Sequence, residues 1–102
     1  ITDEASVGSG LDVLRAHHGP RVASVIHLAA YYSFEGTDDP RYESVTVNGT
    51  RRLLAGLRAR FEVQQFVFSS TMLVHKPAEP GIFINEDWPI GPTWAYPASK
   101  VR

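Results

Sequence analysis

Tyr96 and Lys100, at the ends of the run YPASK, have types and a spacing that could do chemistry. On a helix, residues four apart share a face with Cβ atoms about 5–6 Å apart. A phenol ordinarily titrates near 10, and acting near neutral pH asks for a drop of about three units, or roughly 4 kcal/mol. An ammonium about 5 Å away supplies roughly 3 kcal/mol of that at an effective dielectric near 20. Alone the spacing is weak, because exposed helical pairs share it.

Two further groups stand beside it. FVFSST at 66–71 is an apolar run ending in Ser69, Ser70 and Thr71. Ligands of open α/β sheets bind beyond the carboxyl ends of strands, where such hydroxyls can donate to a substrate oxygen; the plain alternative is a turn. HLAA at 27–30 sets Leu28, Ala29 and Ala30 just past another apolar run, where small residues leave room for a ligand or simply pack closely. The histidines His17, His18, His27 and His75 have no zinc-motif spacing and there is no cysteine, so no metal site is read.

The elements that position these groups read as α/β. Val7, Leu11, Leu14 and His18 predict a helix over 4–18, weakened by Gly8 and Gly10 and stopped by Gly19-Pro20. Residues 22–30 (VASVIHLAA) read as a strand buried on both faces, and 65–69 as a second. Between them Asp39 caps a helix with Pro40 at its first position, running to about Arg60. Its face of Tyr42, Val45, Gly49, Leu53 and Gly56 would approach the sheet closely, leaving Arg51, Arg52 and Arg58 to solvent. From Pro77 to Pro97 five prolines and two glycines make a long loop, with Trp88 and Trp94 expected to cover its packed side, the alternative being substrate contact. A helix beginning near Pro97 can carry both Tyr96 and Lys100.

Composition narrows the classes. The 102 residues are 43% hydrophobic with a formal charge of −1, which argues for a folded domain and gives no electrostatic reason for a nucleic-acid or anionic-membrane partner. No apolar run is long enough to span a bilayer and ITDEAS lacks the pattern of a signal peptide, so a cytoplasmic setting is expected. The single methionine, Met72, leads us to expect a piece of a longer chain.

In this order the motifs resemble the extended short-chain dehydrogenase/reductases, the NAD-dependent epimerase/dehydratase family of nucleotide-sugar enzymes. The matching runs are HLAA (27–30), VNGT (47–50), FVFSST (66–71) and YPASK (96–100). The resemblance implies Tyr96 as catalytic acid/base, Lys100 as its electrostatic partner and holder of the nicotinamide ribose, and Thr71 as the catalytic Ser/Thr. It implies NAD or NADP as cofactor, touched by Leu28, Ala29, Ala30, Tyr31, Thr46, Ser69, Tyr96 and Lys100. It also implies a small-molecule substrate, expected to be a nucleotide sugar, and a homodimer of the full-length protein. Thr46 stands where the family often has an Asn of the proton relay, Tyr31 where a cofactor-binding Lys sometimes sits, and Val74-His75-Lys76 where VYG is usual.

The expected architecture is therefore a partial Rossmann-type doubly wound parallel sheet, an incomplete dinucleotide-binding domain over 1–102 without the first strands or a substrate domain. None of the eight glycines falls in a G-x-x-G-x-x-G turn, so these residues by themselves are expected not to bind dinucleotide. The departures at Thr46 and Tyr31 leave a second reading, a catalytically silent dinucleotide-binding or regulatory module.

Overall fold

The computed structural model describes residues 1–102. Helix α1 (Glu4–His18) starts where Asp3, in extended backbone, accepts a hydrogen bond from Ser6 N–H at 2.6 Å. It ends at Gly19, whose φ of 81° favours glycine and whose N–H returns to Arg15 O. The cap at Asp3 supplies the amino-terminal boundary that the apolar spacing left open.

Strands β1 (Arg21–His27) and β2 (Glu62–Phe68) pair in parallel, with Val22 opposite Val63, Val25 opposite Phe66 and His27 opposite Phe68. Both differ from expectation. β1 stops at His27, leaving Leu28, Ala29 and Ala30 beyond it, and β2 begins three residues before Gln65. Nor is β1 buried on both faces. Val22, Val25, Val63 and Phe66 pack on a cluster of Leu11, Leu57 and Phe61, while Ile26 is 65% exposed, because the helices cover one side of the sheet.

The connection between the strands is helical over 40–60, as Asp39-Pro40 predicts. Asp39 Oδ1 accepts from Arg41 N–H at 2.8 Å, the expected cap. Residues Tyr42–Val47, however, widen into a π-helical stretch before α2 (Asn48–Arg60) resumes ordinary pitch. The crowded β-branched run Val45-Thr46-Val47 lies in this stretch. Gly56 does not approach the sheet as expected. A Cβ added there would lie 2.5 Å from Leu11 Cδ1, so the glycine lets α1 settle on α2, and Arg60 bonds Asp12 across the same seam at 2.6 Å.

After β2 a short 3₁₀ turn (Met72–Val74) leads into the long loop, which is pinned at its base. Lys76 N–H donates to Pro89 O, Gly91 N–H to Val74 O, and His75 Nδ1–H to Trp88 O at 2.8 Å. Trp88 Nε1–H donates to Lys76 O at 3.0 Å, fastening this tryptophan across the base of the loop. Helix α3 (Ala95–Val101) then carries both Tyr96 and Lys100.

The whole is a plate of 52 × 28 × 17 Å. Its radius of gyration is 16.2 Å, against about 13 Å for a compact chain of similar length.

Candidate active site

Parallel pairing brings the carboxyl ends of β1 and β2 to the same edge, and Ser69 N–H donates to His27 O at 3.1 Å, joining the two ends. Helix α3 docks there. Lys100 Nζ donates to Ser69 O at 2.7 Å and lies 4.7 Å from the centre of the Phe68 ring. Lys100 is 8% exposed, and burial lowers its pKa from the ordinary lysine value. The same ammonium is 5.9 Å from the centre of the Tyr96 ring, on the helix face that four-residue spacing lets the two residues share.

Thr71 begins the 3₁₀ turn that packs against α3, and its hydroxyl accepts from Leu73 N–H at 3.3 Å. In that bond the oxygen is the acceptor, which leaves its proton to donate elsewhere. Ser69 and Ser70 are exposed beside it.

Thr46 is 1% exposed and its hydroxyl accepts from Tyr31 N–H at 3.0 Å. A side chain so enclosed would serve a cofactor through the Tyr31 backbone rather than by contact. The Tyr31 phenol donates to Asp39 Oδ2 at 3.1 Å, and the Arg41 guanidinium lies 4.2 Å from its ring centre. Arg41 also binds both Asp39 oxygens and holds that carboxyl well below the usual range. Leu28, 69% exposed, and the small Ala29 and Ala30 line the open strand end.

Sequence reasoning missed His27 as a polar hub. Thr50 Oγ1 donates to Thr46 O at 2.6 Å, so it accepts from His27 Nε2–H at 2.9 Å. Burial first, then the charge of Lys100, lowers the pKa of His27 and so favours its neutral form. The four-residue spacing of Thr46 and Thr50 was the available signal. A cleft of about 380 Å³ is bordered by Thr46, Thr50, Phe68 and Lys100; neither Tyr96 nor Thr71 lines it.

Also missed were Tyr32 and Phe34. Tyr32 packs edge-on against Tyr96 with ring centres 4.7 Å apart, and Trp94 lies 5.6 Å from Tyr96. Trp94 therefore sits against the candidate acid/base, unlike Trp88.

A model of the NAD dependent epimerase/dehydratase family matches residues 6–102. The chain belongs to this family. No curated protein matches it. The family is enzymatic, typically binds NAD(P) and implies a Rossmann fold, of which the two parallel strands and their helical connection are a part. No helix here is long and apolar enough to cross a membrane.

The residues at the strand ends fit the nicotinamide-ribose portion of such a cofactor. Lys100 gives one bond to Ser69 O and has further ammonium protons for hydroxyls. Ser69 is exposed, and Ala29 and Ala30 leave space above the sheet edge.

Proposed function

We propose that the protein is an NAD(P)-dependent oxidoreductase, epimerase or dehydratase whose reaction opens at a carbon bearing a hydroxyl. The observation that carries this reading is the meeting of Lys100, Ser69 and Tyr96 at the joined carboxyl ends of two parallel strands. In this reading Tyr96 takes the proton of the substrate hydroxyl and returns it in the reverse direction. Lys100 stabilises negative charge passing through the phenol, and its burial removes the water that would screen that field. Thr71 donates to the substrate oxygen as it loses its proton.

When bound, the nicotinamide supplies hydride exchange with the same carbon. Lys100 and Ser69 would hold its ribose end, and Leu28, Ala29 and Ala30 would flank it. Thr46 fixes Tyr31 and so the floor beside them. His27 braces the π-helical stretch through Thr50, which in turn donates to Thr46 O.

Nucleotide sugars, the substrates the family resemblance implies, are the first to try. The full-length protein incubated with NAD or NADP and a panel of nucleotide sugars and simpler alcohols should give substrate-dependent dinucleotide reduction or an altered product. Tight dinucleotide binding with no turnover of any hydroxyl compound would instead favour the silent module.

A further inference from the structure

We propose that His27 is a positioning residue for Lys100: its ring fastens the end of β1 to α2, and that fastened end holds the carbonyl to which the ammonium is tied. This inference rests on the assignment of Lys100 to the reaction beside Tyr96. It adds a residue that acts only through the lysine.

The first support is a continuous run of hydrogen bonds. Thr50 Oγ1–H donates to Thr46 O at 2.6 Å, which commits that hydroxyl proton and leaves the oxygen to accept from His27 Nε2–H at 2.9 Å. The backbone of His27 carries the run onward. Its carbonyl accepts from Ser69 N–H at 3.1 Å, and Ser69 O accepts from Lys100 Nζ at 2.7 Å. Helix α2 thus meets the ring, the end of β2 meets the carbonyl, and a shift of His27 reaches the ammonium through two bonds.

The second is a shared aromatic ring. His27 stands opposite Phe68 in the sheet with ring centres 5.7 Å apart, and the Lys100 ammonium lies 4.7 Å from the centre of that same Phe68 ring. An ammonium is attracted to an aromatic face only while the two stay aligned. Phe68 therefore passes the placement of His27 to Lys100 by packing, alongside the hydrogen bonds. The lysine and the imidazole also feel each other's field, since the charge of Lys100 is, after burial, the next cause of the lowered pKa of His27.

The third is the residue type. His27 is 4% exposed and packs beside Phe66 and Phe68. An apolar side chain would serve packing alone, whereas a buried ring N–H costs free energy unless its proton is used. The directed bond to Thr50 is what histidine brings to this position.

The test follows the Lys100 ammonium by NMR in the full-length protein with isotope-labelled lysine, its signal being the one lost in Lys100→Met. In the native protein, burial holds this titration below the ordinary lysine value. Thr50→Val, which keeps the side chain's shape and removes the acceptor for His27, should let the ammonium leave its place, moving the titration up by about half a pH unit or more. His27→Leu should do the same, and His27→Gln, which offers an N–H at similar reach, should restore the native titration. Leu57→Ala loosens the fold elsewhere and should leave it unmoved. An unmoved titration in Thr50→Val overturns the proposal, even where His27→Leu does not fold. So does a failure of His27→Gln to restore it, or an equal shift in Leu57→Ala, which would trace the effect to general loosening. Full activity of Tyr96→Phe would break the reaction assignment separately, leaving the lysine's titration to judge the positioning.

Discussion

Beside the start of β2, Leu11, Leu57 and Phe61 close a cluster made of hydrocarbon alone, fastened at its rim by Arg60 and Asp12. At the carboxyl ends of the strands the buried side chains include His27, Thr46, Ser99 and Lys100, surrounded by rings that reach solvent. The first cluster gains stability from every atom it hides. The second hides polar groups, each of which costs free energy unless bonded, and all four have partners. Two ends of one small sheet thus do different work: one holds the elements together, the other holds an ammonium beside a phenol.

The sharpest way to break that contrast is to change one residue at each end. Lys100→Met should lower turnover about 10²- to 10⁴-fold while thermal stability holds or rises, because burial already disfavours the lysine's charge in the fold. Leu57→Ala should do the reverse, costing about 2–5 kcal/mol in denaturant unfolding with activity per folded molecule unchanged.

Smaller effects test the seam between α1 and α2. Gly56→Ala pushes a Cβ into Leu11 and should cost about 1–3 kcal/mol. Gly10→Ala meets nothing within 4 Å and should instead stabilise by about 0.5–1 kcal/mol. Opposite signs in chemical denaturation would show that close approach, not helix propensity, retains Gly56.

The smallest effect is on pH dependence. His27 has a lowered pKa in the fold, so its contribution is fully present above the ordinary value of 6.5 and is lost as pH falls through its folded value. Unfolding midpoints followed downward from pH 7 should decline there, and His27→Gln should flatten that part of the curve. Asp39 acts lower still: its pair with Arg41 contributes above the ordinary carboxylate value of 3.8 and is lost as acid protonates it.

Local signals were legible where one residue type decides the backbone. Asp39-Pro40 marked a helix start, Gly19-Pro20 a stop, and YPASK a helix bearing its pair on one face. What depends on the partner across space was not. The apolar run VASVIHLAA reads the same whether one face or two are covered, and Gly56 signals close approach without saying to what. The π-helical stretch over Tyr42–Val47 has no counterpart in the residue spacing, which reads as one continuous helix. At the candidate site, motif order proposes Tyr96, Lys100 and Thr71, whereas Tyr32 sits more than 60 residues from Tyr96 and meets it through the fold alone.

The most direct measurement of the central claim is Tyr96→Phe in the full-length protein, with single-turnover rate, dinucleotide Kd and Tm taken on the same preparation. Removing one hydroxyl while keeping the ring preserves its packing on Tyr32 and Trp94. The account predicts a rate lower by about 10²- to 10⁴-fold with Kd and Tm unchanged. An unchanged rate would contradict it.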